Sequence, residues 1–128
     1  MAVQTQLADK LPPLLADRIQ LQQVLRNLIM NALEAMDAVT DRARVLTMRS
    51  TAHDSKSVLI TVEDSGTGIE PKNMQRIFDS FFTTKSHGMG MGLAICRSII
   101  DSHGGSLSAL SGHPHGTIFR VILPTGID

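Results

Sequence analysis

Apolar residues recur with a helical period in two stretches of the chain. The first follows Asp17, a residue type that caps helix N-termini, and the pattern predicts a helix that runs to about Val39. The second predicts a helix over Leu93–His103, which the glycine pair Gly104-Gly105 would end. The face of the first helix that we expect to be buried consists of Ile19, Leu21, Val24, Leu25, Leu28, Ile29, Ala32, Leu33 and Met36.

Five shorter segments alternate apolar and polar residues, as strands with one buried face do. His53–Ser55 is typical of a turn between two of them, and Pro71 predicts a short helix that reaches Ile77 or Phe78. This set of elements predicts an α+β fold, a two-layer sandwich with helices packed on one face of a mostly antiparallel sheet. The predicted strands are Val3–Leu7, Val45–Thr51, Ser57–Glu63, Ser106–Leu110 and Thr117–Leu123.

The length and composition of the chain narrow the classes of function. Its 128 residues fit one domain, which we expect to cover 1–128. Twelve basic and twelve acidic residues, with no Trp or Tyr, argue against a nucleic-acid partner or contact with an anionic membrane. The single Cys96 can form neither an internal disulfide nor a cysteine zinc site. Because no apolar run approaches the length of a membrane span, we expect a cytoplasmic location.

Three polar residues lie within the apolar pattern of the first helix: Asn27, Asn31 and Glu34. Spacings of four and three residues put them on one face, about one turn apart. Asn disfavours helices, so two of them in an apolar helix call for a reason. One interpretation is a polar cleft whose side-chain oxygens hold a hard cation such as Mg²⁺. A solvated helix face or an internal hydrogen-bond site explains the same pattern.

An acidic residue followed by glycines, Asp64–Gly68, comes at the end of a predicted strand. One interpretation is a tight turn, in which the glycines supply positive φ and Asp64 caps the backbone. The other is a carboxylate at the rim of a ligand pocket, where the glycines let a ligand approach the backbone. The motif alone is compatible with both.

Glycines at every second position, Gly88, Gly90 and Gly92, lead into the second long helix. Such a stretch exposes backbone N–H groups and the positive end of the helix dipole, which together favour an anion. The spacing matches neither the phosphate loop of nucleotide hydrolases nor the dinucleotide-binding fingerprint. We therefore interpret Ser80–Met91 as a long loop, and the nearby Lys85 favours a lid that covers a phosphate over a merely flexible connection.

Taken together, these segments resemble the ATP-binding catalytic domain of sensor histidine kinases, within the superfamily of gyrase, heat-shock chaperone and mismatch-repair ATPases. The resemblance covers Val3–Pro124, nearly the whole chain, and implies a Bergerat-type ATP-binding fold. The matching segments are Asn27–Ala35 (N box), Asp64–Gly68 (first glycine box), Ile77–Lys85 (phenylalanine box), Gly88–Leu93 (second glycine box) and Gly116–Phe119 (closing strand).

The resemblance implies Mg²⁺ and ATP as cofactors and a role for each matching residue. Asn31 would ligate Mg²⁺, and Asn27 would line the same phosphate site one turn earlier. Asp64 would accept a hydrogen bond from the adenine amino group, and Lys85 would contact the phosphates. The remaining nucleotide-binding residues implied are Gly66, Gly68 and Thr117 near the base, with Thr84, Gly88, Gly90, Gly92 and Leu93 near the phosphates.

Members of this family transfer the γ-phosphoryl group of ATP to a histidine in a helical hairpin that precedes the domain. None of the five histidines here has the family's His-Glu or His-Asp context, since His53 precedes Asp54 but falls in a predicted turn. We therefore expect a protein-histidine kinase domain that acts on a separate dimerisation and phosphoacceptor domain and, indirectly, on a response regulator. It would be part of a longer sensor or a stand-alone subunit.

Two positions depart from the family pattern, and other functions share it. Ser80 replaces a frequent proline, which would loosen the lid, and Thr67 stands where proline or a small residue is common. A stand-alone serine kinase of the anti-sigma-factor type carries the same boxes, and an ATP-responsive binding module would need no chemistry. ATP-driven clamps such as gyrase place a glutamate where Asn27 stands, so Asn27 argues against them.

Overall fold

The computed structural model describes residues 2–7, 16–37, 39–79, 92–112 and 115–125. The predicted loop Ser80–Met91 lies outside these residues. Each of the other predicted elements has a counterpart in the structure. The elements are β1 (Ala2–Leu7), α1 (Arg18–Met36), β2 (Val45–Asp54), β3 (Ser57–Glu63), a 3₁₀ turn (Pro71–Asn73), α2 (Gly92–Ser102), β4 (Ser106–Ser111) and β5 (Thr117–Pro124).

The strands form one five-stranded sheet in the order β1-β2-β3-β5-β4. The edge strand β1 pairs with β2 in parallel, while the other three pairings are antiparallel. Along β5, Phe119, Val121 and Leu123 are buried against the helices, and the residues between them face the other way. The predicted α+β sandwich, with helices on one face of a mostly antiparallel sheet, is confirmed.

Helix α1 begins and packs largely as its sequence pattern predicts. The Asp17 side chain accepts a hydrogen bond from the Gln20 N–H at 2.9 Å, which caps the helix. The helix ends at Met36, not Val39, because the Val39 N–H bonds to the Met36 carbonyl in a tighter turn. Ile19 is 76% exposed, so its place on the buried face was a wrong prediction. The fully buried residues of the helix are Val24, Leu28, Ala32 and Met36.

Helix α2 ends at the predicted glycine pair. Gly104 has φ +75°, and its N–H donates to the Asp101 carbonyl at 3.0 Å. The Gly105 N–H donates to the Ile100 carbonyl at 3.1 Å, which completes the hydrogen-bond pattern of a Schellman cap. A Cβ atom on Gly105 would lie 2.2 Å from the Ile122 carbonyl oxygen, so the cap also lets β5 approach closely.

Two local predictions need correction. β2 continues to Asp54, so His53 lies in the strand and the turn falls at Ser55-Lys56. A β-bulge between Ala52 and Asp54 shifts the register there, which broke the alternation on which the turn prediction rested. The helix after Pro71 is a 3₁₀ turn of three residues, shorter than predicted. In the described part of the chain, neither helix has the length and apolarity needed to cross a membrane.

Candidate functional site

The buried carboxyl group of Asp64 lies at the centre of the candidate site. Asp64 directly follows β3 and is only 3% exposed. Its Oδ1 accepts hydrogen bonds from the Gly66 N–H at 2.8 Å and from the Thr117 N–H at 3.3 Å. Its own N–H donates to the Thr117 carbonyl at 3.0 Å. The end of β3 and the start of β5 therefore fix this side chain together.

The second carboxyl oxygen of Asp64, Oδ2, is buried and has no hydrogen-bond partner among the described residues. Burial raises the pKa of this carboxyl group, and the two backbone donors, Gly66 and Thr117, only partly offset that effect. A buried acceptor without a partner is uncommon in native proteins. Oδ2 is thus free to accept a hydrogen bond from a ligand.

Glycines are required around Asp64 because the backbones approach closely. A Cβ atom on Gly116, which has φ +88°, would lie 1.9 Å from the Asp64 carbonyl oxygen. A Cβ atom on Gly66 would lie 2.6 Å from the carbonyl oxygen of Ala35 in α1. Gly68 has φ +80°, a conformation that L side chains rarely adopt. Substitution at any of these positions would displace the segment that carries Asp64.

Two residues that sequence reasoning missed hold this segment from the other side. Arg42 donates from Nη2 to the Gly66 carbonyl at 2.7 Å and from Nε to the Ser65 carbonyl at 3.1 Å. The Ser65 hydroxyl accepts from the Val45 N–H at 2.9 Å and donates to the Ala43 carbonyl at 3.0 Å. Arg42 lies in the polar link between α1 and β2, where no periodic pattern marks it.

The three polar residues of α1 do not share one environment. Asn27 is half-buried near Cys96 in α2, whose thiol donates to the Val24 carbonyl at 3.8 Å. Burial raises the pKa of this thiol, and the neighbouring Asn27 side chain lowers it less. Asn31 is half-buried and lies one turn before Ala35, whose carbonyl accepts a hydrogen bond from the Thr67 N–H at 3.3 Å. Glu34 is exposed. Of the two half-buried asparagines, Asn31 lies nearer along the helix to Ala35 and so to the Asp64 segment.

The structure describes only the start of the segment that resembles the phenylalanine box, Ile77–Asp79. The ring of Phe78 meets that of Phe119 edge to face, with 6.4 Å between centroids. The guanidinium carbon of Arg97 lies 4.7 Å from the Phe78 centroid, a cation–π contact that sequence reasoning also missed. These contacts join the start of this segment to β5 and α2.

The structure brings together part of the predicted site. Asp64, Gly66, Gly68 and Thr117 form one cluster at the ends of β3 and β5. Gly92 is exposed at the start of α2, and Leu93 packs against the core. Thr84, Lys85, Gly88 and Gly90 lie outside the described residues.

This fold and this buried carboxylate define a class of protein. Residues 16–127 match the family of histidine kinase-, DNA gyrase B- and HSP90-like ATPases, and the chain belongs to this family. The resemblance found in its boxes is therefore confirmed. Within the family, its relatives and structural neighbours are sensor histidine kinases.

Three proteins illustrate the similarity. The nucleotide-free catalytic domain of histidine kinase ThkA superimposes with a TM-score of 0.82 at 34% identity, covering 97% of this chain and 80% of that domain. ThkA has also been solved in complex with the response regulator protein TrrA. Sensor protein TdiS of Thauera aromatica is 42% identical over 125 residues, 97% of this chain. Full-length ShkA, solved in complex with AMPPNP, matches with a TM-score of 0.81 at 27% identity, over 99% of this chain and 26% of ShkA. The chain spans 23% of the length of TdiS.

Proposed function

We propose that this chain is the ATP-binding catalytic domain of a two-component sensor histidine kinase. It transfers the γ-phosphoryl group of ATP to a histidine on a separate dimerisation and phosphoacceptor domain, which then serves a response regulator. Membership of the ATPase family and the similarity to TdiS and ThkA support this proposal. The AMPPNP complex of ShkA and the TrrA complex of ThkA support a nucleotide and a response regulator as its partners.

The observation that carries the proposal is the buried Oδ2 of Asp64, which has no hydrogen-bond partner among the residues that the structure describes. An ionised carboxylate only accepts hydrogen bonds, and the exocyclic amino group of adenine is a donor. Guanine presents a carbonyl oxygen at the corresponding position, which cannot donate. A fixed, buried acceptor is therefore suited to adenine, with Gly66, Gly68 and Thr117 as the other residues at the base.

The phosphates would lie toward the start of α2. An α-helix N-terminus presents free N–H groups and a partial positive charge, and α2 has 11 residues that contribute to it. We assign the phosphate contacts to Lys85 and to the backbone of the second glycine box. In full, that set is Thr84, Lys85, Gly88, Gly90, Gly92 and Leu93.

The residues of α1 fit a divalent cation at the phosphates. The Asn31 amide oxygen is a neutral, hard ligand of the kind that Mg²⁺ accepts together with phosphate oxygens and water. Asn31 is half-buried and lies one turn before Ala35, whose carbonyl accepts from the Thr67 N–H of the segment that carries Asp64, and this supports the assignment. We assign Asn31 as the Mg²⁺ ligand and Asn27, one turn earlier on α1, as a residue that lines the same phosphate site. Mg²⁺ supplies neutralisation of phosphate charge when bound.

In this reaction the main task of the chain is to position the nucleotide and the accepting imidazole. Phosphoryl transfer proceeds in line, and catalysis consists of orientation and charge stabilisation by fixed donors. Asp64 anchors the base, while Lys85 and the glycine backbone hold the phosphates against the incoming imidazole. Asn27 offers an amide, which cannot act as a general base toward water, so transfer is favoured over hydrolysis.

Incubation with γ-labelled ATP tests the proposal. We expect no self-labelling, and acid-labile, base-resistant label on a supplied dimerisation domain of a similar sensor kinase. The same domain with its acceptor histidine changed to glutamine is the control and should stay unlabelled. Stable phosphohistidine on the chain itself would contradict the proposal, and acid-stable phosphoserine on a partner would replace it with a serine kinase.

A further inference from the structure

A shallow cavity of about 240 Å³ lies on the face of the sheet that points away from the helices. Its lining comes from β2, β3, β4 and β5 and includes the apolar side chains of Leu59, Leu110 and Ile118. Leu110 is 47% exposed, which is high for a large apolar residue in a strand. The residues proposed above for nucleotide binding do not line this cavity.

Three polar side chains form a row across this cavity. In the sheet register, Thr61 on β3 is the direct partner of Arg49 on β2 and of Arg120 on β5. Directly paired residues point to the same face, so the threonine lies between two arginines. All three line the cavity. Neighbouring strands are about 4.8 Å apart, so one small ligand can reach all three side chains.

Thr61, the middle residue of the row, has a side-chain hydroxyl without a hydrogen-bond partner among the described residues. Its oxygen, Oγ1, is buried. A hydroxyl group can both donate and accept, and buried polar groups in native proteins rarely lack a partner. An acceptor placed over Thr61 would satisfy this hydroxyl.

The two arginines differ in how their charge is balanced. Arg49 donates from Nη1 to Glu63 Oε2 at 2.9 Å and from Nε to Gln6 Oε1 at 3.0 Å. Arg120 is half-buried and forms no hydrogen bond or ion pair within the described ranges. Arg49 and Glu63 balance each other, so within the described part of the chain the row carries one uncompensated positive charge, beside the apolar side chains of the cavity.

We propose that this cavity binds a small monocarboxylate with a short apolar body. The carboxylate accepts hydrogen bonds from the Thr61 hydroxyl and the Arg120 guanidinium, and the apolar body covers Leu59, Leu110 and Ile118. One negative charge matches the guanidinium of Arg120, which has no ion pair among the described residues. The volume lies below the usual range for drug-sized ligands, which limits the body to a few carbon atoms.

Amide-detected NMR titration with hexanoate tests the site, with hexanamide as the neutral probe of equal size. We expect hexanoate to shift amide resonances of β3 and β5 around Thr61 and Arg120 in a saturable manner. Hexanamide and inorganic phosphate should shift them at least tenfold more weakly, because one lacks the charge and the other lacks the apolar body. Equal response to all three probes, or no saturable response to hexanoate at millimolar concentration, would overturn the proposal.

Two variants and a control locate the binding. Arg120→Gln should weaken hexanoate about tenfold, and Thr61→Val should weaken it several-fold. Because Thr61→Val also removes a buried, unpartnered hydroxyl, it should raise the Tm of the free protein by roughly 2–6 °C. Arg26→Gln, on the exposed side of α1, should bind hexanoate as wild type does. Unchanged hexanoate affinity in folded Thr61→Val would exclude the site, whatever the behaviour of Arg120→Gln.

Discussion

The imidazole Nε2 of His103 accepts a hydrogen bond from the backbone N–H of Asp17 at 2.9 Å, and so joins the end of α2 to the start of α1. Because a backbone N–H can only donate, Nε2 carries the lone pair, and Nδ1 carries the proton of the neutral ring. Nδ1 lies 2.7 Å from the Ile99 carbonyl oxygen, to which it donates. One side chain thus satisfies backbone groups at two helix ends.

Replacement of this histidine should loosen the contact between the two helices. His103→Ala leaves the Asp17 N–H to water, while the Ile99 carbonyl keeps its bonds from the backbone N–H of residue 103 and from the Ser102 hydroxyl. We expect a loss of about 1 kcal/mol in the free energy of unfolding. Urea denaturation measures it. His115→Ala is the control, because His115 is exposed, and it should change stability by less than about 0.5 kcal/mol. Equal losses in both variants would contradict a specific role for His103.

Asp64 should set the base preference of the nucleotide site. We expect ATP to bind at least about tenfold more tightly than GTP, since guanine would face the carboxylate with a second acceptor. Asp64→Asn can donate or accept, so it should weaken ATP binding and narrow the gap between the two nucleotides. Calorimetric titration of wild type and Asp64→Asn with ATP and with GTP measures these affinities. Asp101→Asn, on the exposed side of α2, should keep the wild-type preference. A preference that survives Asp64→Asn would argue that Asp64 only caps its turn.

The raised pKa of Asp64 should give stability and ATP binding opposite pH dependences. The folded protein holds this proton at pH values where the unfolded chain, with a pKa near 3.8, has lost it. The contribution of Asp64 to stability is therefore complete below that value and is lost as pH rises through the folded pKa. ATP affinity should rise over the same window, because only the ionised carboxylate is purely an acceptor.

The difference between wild type and Asp64→Asn isolates this effect, since Asp64 is the only group that differs between the two proteins. Denaturation and calorimetry across the acid range should show the two trends diverging in wild type. In Asp64→Asn both pH dependences should be flatter. Parallel pH curves in the two proteins would rule out Asp64 as the group responsible.

Two neighbouring arginines allow a matched test of the Asp64 segment. Arg42 binds the carbonyls of Ser65 and Gly66, whereas Arg44 binds those of Val39 and Asp37. Arg42→Gln and Arg44→Gln should each cost about 1–2 kcal/mol in stability, because each removes charge-assisted hydrogen bonds. Only Arg42→Gln should also weaken ATP binding, by several-fold, since only it frees the backbone next to Asp64. Equal ATP affinity in the two variants would show that the bonds from Arg42 to Ser65 and Gly66 do not support the nucleotide site.

The proposed cation ligand can be tested against its neighbour on α1. Asn31→Ala removes the amide oxygen, so ATP affinity should lose most of its dependence on Mg²⁺ while the fold survives. Glu34→Gln, one turn further on, should retain that dependence. The measurement is ATP affinity with Mg²⁺ and with EDTA, alongside thermal unfolding. Loss of the Mg²⁺ effect in Glu34→Gln but not in Asn31→Ala would move the ligand to Glu34.

Periodicity in the sequence predicted the elements well where one face is buried and poorly where local geometry intervenes. α1 and β3 follow from their patterns, but the bulge before Asp54 displaced the turn that had been placed at His53. The parallel pairing of β1 leaves no mark in a strand whose residues are all exposed. Sheet order depends on contacts between distant segments, which alternation does not encode.

The candidate site was predictable only in part. Asp64 and its glycines stand out by type and spacing, and their resemblance to a known family supplied the chemistry. Arg42 and Ser65 act through backbone carbonyls and N–H groups, which every residue possesses, so no residue pattern pairs them with Asp64. Arg97 meets Phe78 across the fold, and only the packing of α2 brings them together.

The hydrogen bonds that hold the Asp64 segment have a consequence for the kinetics of nucleotide binding. Arg42, Ser65 and the Ala35 carbonyl hold this backbone in position through hydrogen bonds within the protein itself. Because the fold itself holds the Asp64 carboxylate in place, this group needs no slow rearrangement when a nucleotide binds. Nucleotides that differ only in the base should therefore associate at similar rates, and the protein distinguishes them by how long each one stays bound.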